Sequence, residues 1–379
     1  MTRTIRQSIT VSYDFPVIFT RDALAPSNPA LENILASAGP GPHRVAAVLD
    51  AGAAGALPGL ASGMEARLAS MARAVLAAPV LTVRGGERAK ADLAVFNAVL
   101  DLIFEARLCR QSFLIVLGGG AVLDAAGFAA ATAHRGVRLI RMPSTALAQN
   151  DAGVGVKNAV NFFGRKNFLG CFAPPYAVLN DFALLDALPP RERRAGLAEA
   201  VKIALIKDAA FFERLRADRH ALSRFEQRAF EHSIERCAEL HLEHIATGGD
   251  PFEFGSSRPL DFGHWSAHAM EEATSGALGH GEAVAVGVAL DTVYSHLSGL
   301  LSGPDMERVL EVLPGLGFAP WHPALETLDM PGAMEAFREH LGGSLYLSML
   351  TGIGSRVEVN EVDFDSMRRA AALLKERFA

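Results

Sequence analysis

One stretch constrains the fold of this chain more than any other. In FLIVLGGGAVLDAAGF an apolar β-type run ends in three glycines at 118 to 120, and a helical segment starts near Ala121. The surrounding sequence repeats that alternation. Short β-rich runs at His43–Asp50, Pro79–Val83, Phe113–Leu117, Val137–Met142 and Tyr176–Leu179 are separated by stretches of helical length such as Leu60–Ala77 and Lys90–Ala106. This is the pattern of a parallel sheet covered by helices. After about residue 182 it stops. Arg191–Glu243 is almost continuously helical in propensity, and from His264 onward the sequence reads as long helices broken at Gly and Pro. Pro189 and Pro190 mark the joint. The expected fold class is α/β: an N-terminal parallel-sheet domain over 1–182 and a C-terminal, mainly α-helical domain over 183–379.

A length of 379 residues suffices for two domains with sizeable cores. With 36 Lys and Arg against 42 Asp and Glu, the net charge of −6 gives no basic footprint for nucleic acid. Cys109, Cys171 and Cys237 are scattered and form no C-x-x-C pair. That argues against a disulfide scaffold or a thiolate zinc site and fits a reducing, cytoplasmic setting. The opening MTRTIRQSITVSYDFPVIFT has no apolar h-region, and no segment approaches the ~18 uncharged apolar residues of a membrane span.

The glycine turn lets a bound group approach the backbone closely, while the free N–H groups and the positive end of the helix attract phosphate. A dinucleotide pyrophosphate suits it. The turn does not match G-x-G-x-x-G, because Leu123 replaces the third glycine, nor a P-loop, because no G-K-[ST] follows. A plain strand-to-helix turn is the alternative. Asp50, ending the run VAAVLDAG, is placed either to accept from ribose hydroxyls or to serve as a turn residue. Glu87 and Lys90 in GGERAK face an adenosine or begin a solvated helix.

The run from Ser144 to Gly170 carries Asp151, Lys157, Asn158, Asn161, Arg165, Lys166 and Asn167 among small and apolar residues. Cations in that setting point to an anionic ligand rather than a surface loop. In RPLDFGHWSAHAMEEATSGALGHGEAVAVGVAL, His264 and His268 share one helical face, and His280 opens a second helix. Upstream, Glu199 and Lys202 stand three apart on one face. Two imidazoles and a carboxylate leave a position open for substrate oxygens, the pattern of a catalytic metal site. Spacing alone does not decide which two of the three histidines bind.

In order and approximate spacing, GGGAVLDAAGF, AHRGVRLIRMPSTALAQNDAGVGVK, GRKNFLG, LPPRERRAGLAEAVK, RPLDFGHWSAHAME and HGEAVAVG resemble 3-dehydroquinate synthase and its relatives, the sugar-phosphate cyclases. The resemblance runs from about Asp50 to Asp291. It implies a Rossmann-like domain binding NAD, a helical domain holding a divalent metal (zinc or cobalt), a cleft between them and a homodimer. By position it makes Glu199, His264 and His280 the metal ligands and His268 a non-ligand histidine near the leaving phosphate. Lys157, Lys166, Asn167, Lys202, Arg135 and Arg258 match phosphate- and substrate-binding groups, with Arg135 reaching in from the neighbouring subunit. Asp50, Glu87, Lys90, Gly119, Gly120, Asp124, Thr145 and Asp151 lie where the family contacts NAD. The implied chemistry is transient oxidation of a ring carbinol, phosphate elimination, return of the hydride, ring opening and aldol closure to a carbocycle.

The match has departures. Dehydroquinate synthases read G-G-K-T where this chain has Gly155-Val156-Lys157-Asn158, and L-N-F-G-H where Asp261 replaces the Asn. A lysine expected near His244 is absent, and FREHLGG stands where a D-K-K stretch belongs. Two cations fewer and one carboxylate more weaken a site for a substrate carrying phosphate and carboxylate together. The changes lean toward relatives that cyclise sedoheptulose 7-phosphate, the 2-epi-5-epi-valiolone type. Those relatives often lose the second histidine, kept here as His268, which places the chain in a divergent subgroup between the two. A metal-dependent alcohol or polyol dehydrogenase shares the general fold and is the rival class. A degenerate homologue that merely binds NAD or a partner is a third reading.

Overall fold

The computed structural model describes residues 2–248, 252, 259–340, 343 and 345–379. Its first half is built on a sheet of seven strands: β1 (Val17–Thr20), β2 (His43–Asp50), β3 (Ala74–Leu76), β4 (Leu81–Val83), β5 (Phe113–Gly118), β6 (Arg138–Pro143) and β9 (Ala177–Asp181). The order is β1-β9-β6-β5-β2-β3, with β4 also on β2, and every pairing is parallel. β2 and β5 are apolar at nearly every position because both faces are covered. Val45, Ala47, Leu49, Phe113, Ile115 and Leu117 enter the core on one face. Ala46, Val48, Leu114 and Val116 enter the core on the other. Helices α1 (Ala30–Ser37), α2 (Ala51–Ala56), α3 (Leu60–Ser70), α4 (Ala94–Glu105) and α5 (Gly120–Thr132) connect the strands.

The strand order fixes where a ligand belongs. From β2 the chain moves outward to β3 and β4, then crosses back to β5 on the other side of β2 and continues through β6 to β9. The direction reverses between β2 and β5, and ligands of open parallel sheets bind outside the carboxyl ends of the strands at such a reversal. Asp50 ends β2 and Gly118 ends β5.

Between β6 and β9 the chain forms an antiparallel hairpin, β7 (Lys157–Phe162) and β8 (Arg165–Phe172). Beyond the sheet come α6 (Pro190–Lys207), α7 (Ala209–Ala217), α8 (Arg219–Ser223), α9 (Gln227–Thr247), α10 (His264–Ala273), α11 (His280–Leu297), α12 (Gly303–Gly315) and α13 (Met330–His340). A second hairpin, β10 (Leu347–Gly352) with β11 (Ser355–Val359), precedes α14 (Phe364–Phe378). Helices α6 and α11 are buried along most of their length and form the spine of the helical core. Among the described residues no helix is long and apolar enough to cross a membrane.

Two sequence expectations need correction. The helix expected over Leu60–Ala77 ends at Ser70, and Ala74–Leu76 is instead a strand beside β2. The helix expected over Lys90–Ala106 starts at Ala94, after a 3₁₀ turn over Glu87–Ala89. The C-terminal region is mainly helical, as expected, with β10 and β11 pairing within it.

Candidate active site

At the sheet's reversal point Asp50 braces the glycine turn. It is buried, its Oδ1 accepts from Gly52 N at 2.7 Å and its Oδ2 from Gly119 N at 3.3 Å. Gly119 is the extended N-cap of α5 and Gly120 its first residue. Asp50 thus caps α2 and stands at the switch point at once. A Cβ on Gly85 would overlap the Asp50 carboxylate, so only glycine fits there. Lys90 is buried and pairs with Asp124 Oδ2 at 2.7 Å, while burial raises the Asp124 carboxyl above its usual range. Glu87 is exposed and its Oε1 accepts from Asn161 Nδ2 at 2.9 Å. Thr145 Oγ1 accepts from Ala148 N at 3.2 Å, opening the π-helical turn over Ala148–Ala152.

The segment 144–153 joins this turn to the helical half. Asn150 donates to Gly196 O on α6 at 2.7 Å, and Asp151 pairs with His241 of α9 at 3.0 Å. Burial opposes ionisation of Asp151, but His241 brings its carboxyl down to about 2. The cationic run that follows is a solvent-facing hairpin. Lys157, Arg165, Lys166 and Asn167 are all exposed, and Asn167 holds a left-handed φ of +54° within β8 where the register shifts, with its N–H donating to Asn161 Oδ1 at 2.9 Å. Asn158 is buried and structural, accepting from Arg141 and donating to Val156 O and Ala173 O. Arg135, with φ +65°, is exposed at the end of α5's following 3₁₀ turn. Arg258 lies outside the described residues.

The helical half brings its donors to one point. Ligand atoms of Glu199 from α6, His264 from the start of α10 and His280 from the start of α11 lie within 4.8 Å of one another. His264 Nε2 and His280 Nε2 stand 3.4 and 3.6 Å from Glu199 Oε1. His264 Nδ1 is 3.1 Å from Phe262 O, an acceptor, so this ring carries its hydrogen there and turns the Nε2 lone pair toward Glu199. Glu199 is 1 % exposed, and neither of its oxygens has a hydrogen-bond donor of regular geometry among the described residues. Buried carboxylates are ordinarily satisfied, so Oε1, without a regular hydrogen bond and facing two imidazole nitrogens, fits a divalent cation. Lys202, one turn along α6, ion-pairs with Glu199 Oε2. Burial opposes both charges, yet each holds the other charged: Glu199 falls well below the usual carboxylate range and Lys202 rises. His268 is half exposed, its ring centroid 5.5 Å from that of His264 and 5.8 Å from that of His280.

The structure thus gathers Glu199, Lys202, His264, His268 and His280 in one place, with Lys166 Nζ reaching Glu271 beside them at 3.9 Å. A cavity of about 440 Å³ lined by Arg191, Arg194, Trp321 and His322 touches this group only through His280. Three contributors escaped the sequence reading. Arg141, fully buried, donates to Gly155 O, Lys157 O and Asn158 Oδ1 and sets the loop leading into β7. Asp291 of α11 accepts from Gly263 N and Trp265 Nε1, both at 2.9 Å, and so fixes the first turn of α10 around His264. Glu271 touches His268 and His280. Only Glu271 had a sequence signal, its i+3 spacing from His268.

Fold and site define an α/β protein in which a phosphate-type turn is joined to a two-histidine, one-carboxylate cluster. Family models described as the N-terminal and C-terminal parts of 3-dehydroquinate synthase match residues 80–195 and 196–339. The chain belongs to the 3-dehydroquinate synthase family of sugar-phosphate cyclases. It is 39 % identical to 3-dehydroquinate synthase of Halorhodospira halophila over 282 residues, 74 % of this chain and 79 % of that one. It is 38 % identical to 2-epi-5-epi-valiolone synthase of Streptomyces glaucescens over 286 residues, 75 % and 73 % of the two chains. Among solved structures, 2-epi-5-epi-valiolone synthase of Streptomyces hygroscopicus subsp. jinggangensis, with NAD+ and Zn2+ bound, superposes with a TM-score of 0.85 at 30 % identity, covering 98 % of this chain and all of that one.

Proposed function

We propose that this protein is an NAD- and divalent-metal-dependent cyclase of a heptulose 7-phosphate, a phosphate-eliminating carbon–oxygen lyase. The observation that carries the reading is the buried Glu199 carboxylate, whose Oε1 has no regular hydrogen bond and faces His264 Nε2 and His280 Nε2. When bound, the cofactors supply a transient hydride acceptor and a Lewis acid for a substrate hydroxyl. The chain's own groups do the rest. Gly119, Gly120 and the N-terminus of α5 receive the pyrophosphate, and Asp50, Glu87, Lys90, Asp124, Thr145 and Asp151 shape the surrounding NAD site. Glu199, His264 and His280 hold zinc or cobalt, and Lys202 balances Glu199 and binds substrate. Lys157, Lys166, Asn167 and Arg258 engage the sugar phosphate, joined by Arg135 from a second copy in a homodimer. His268 stands by the leaving phosphate. The NAD domain spans 1–182, the metal domain 183–379, and the enzyme works in the cytoplasm.

Two substrates compete. The three-donor site and His268 suit 3-deoxy-arabino-heptulosonate 7-phosphate. Asp261 and the missing lysine near His244 favour sedoheptulose 7-phosphate, which has no carboxylate to recognise. Phosphate released from each by pure protein with NAD and Zn²⁺ or Co²⁺ decides between them. Release from one alone assigns the substrate, and release from neither removes both.

A further inference from the structure

His268 and His280 are held by the same oxygen atom. Glu271 follows His268 by three residues on α10, with its side chain 12 % exposed. Its Oε2 lies 3.1 Å from His268 Nδ1 and 3.3 Å from His280 Nδ1, with Lys166 Nζ 3.9 Å away. At these distances the Glu271 oxygen meets each ring as the acceptor of an N–H. Both rings therefore carry hydrogen at Nδ1 and present Nε2 on the far side, and for His280 that atom is the one facing Glu199 Oε1. The two ring planes lie 26° apart, stacked as a pair. An ordinary exposed i,i+3 pair on one helix would not also capture an imidazole from α11.

We propose that Glu271 is a positioning residue shared by the metal ligand His280 and the phosphate-side His268. The proposal rests on the metal reading of Glu199, His264 and His280. Glu271 acts through His280 by fixing its tautomer and increasing the basicity of Nε2, as a carboxylate behind a ligating histidine does. It acts through His268 by fixing that ring's tautomer and its stacking on His280. One oxygen thus sets the geometry of two groups that must meet the same substrate.

The test is zinc affinity of the full-length protein, by competition with a chromophoric chelator, for the unaltered chain, Glu271→Gln and Glu271→Ala, with visible spectra of the cobalt-loaded proteins. Both variants should bind zinc roughly ten- to a hundredfold more weakly, and the cobalt bands of Glu271→Gln should shift. A residue with a merely structural role would move neither. If Glu271→Ala does not fold, the near-isosteric Glu271→Gln carries the test alone. Unchanged affinity and an unchanged cobalt spectrum in Glu271→Gln would overturn the proposal while leaving the metal site standing. No zinc uptake by the unaltered chain would instead overturn the metal reading, and Glu271's role with it.

Discussion

The two halves of the proposed chemistry separate cleanly at single residues. Glu199 is ligand-like because it is buried among imidazoles, while Asp50 is tied to the glycine turn on the sheet. Glu199→Ala and His264→Ala should each lose bound metal and turnover while NAD affinity, measured by calorimetric titration, stays within about threefold, because neither residue contacts the sheet's switch point. A comparable loss of NAD affinity would place the metal elsewhere. Gly85→Ala tests the other half. Its methyl would displace the Asp50 carboxylate from Gly119 N, so NAD affinity should fall by roughly tenfold or more, with a stability loss of about 1–3 kcal/mol from overpacking. NAD titration and urea unfolding read the two effects, and an unaffected variant would show that Asp50 does not hold the turn.

At the scale of elements, α10 and α11, which carry the proposed ligands His264 and His280, pack closely at their glycines. Gly263 begins α10 with a left-handed φ of +75°, and a Cβ on Gly287 of α11 would strike Gly263 O. Gly287→Ala should therefore cost on the order of 3 kcal/mol and weaken zinc binding, because the strain is delivered to the residue before His264. Thermal unfolding with and without zinc measures both, and an unchanged Tm would contradict the packing argument. Asp291 ties the same helices with a charge-dependent bond. Burial raises its carboxyl from 3.8 to about 7. Between those values the folded chain keeps a proton that the unfolded chain has released, so this group's contribution to stability falls as pH rises from about 4 to about 7 and levels off above. The full span is on the order of a few kcal/mol. Urea unfolding across that range should show the slope in the unaltered chain and its loss in Asp291→Asn. An unchanged slope in the variant would assign it to other groups.

The sequence made some elements legible and hid others for physical reasons. β2 and β5 announce themselves because a strand covered on both faces is apolar throughout. Leu60–Ala77 reads as one helix because alanine and leucine suit helix interiors, yet backbone pairing with β2 claims Ala74–Leu76. The hairpin of β7 and β8 was hidden because its strands alternate lysine, asparagine and phenylalanine facing solvent and α5, which resembles a ligand-binding loop in composition. Spacing marked Glu199, His264, His268 and His280 as a metal pattern, but i,i+4 histidines arise readily by chance among 12, and the choice of His264 and His280 came from the family resemblance. Arg141 and Asp291 act on backbone groups distant in sequence, and no local pattern marks such contacts.

Across the whole molecule, the net charge of −6 says little about the ligand. The proposed sugar-phosphate site draws on cations from both halves: Lys157 and Lys166 on the hairpin and Lys202 on α6. A dehydrogenase of similar fold also needs a nucleotide turn and a metal, but has no use for phosphate-binding lysines around them. In the proposed reaction the hydride removed from the sugar phosphate returns to it within one turnover. Phosphate and NADH followed together in one reaction, with either heptulose phosphate and catalytic NAD, test that directly. Phosphate should accumulate over many turnovers with no net NADH. NADH rising in step with substrate consumed, without phosphate, would contradict it and make the protein a dehydrogenase.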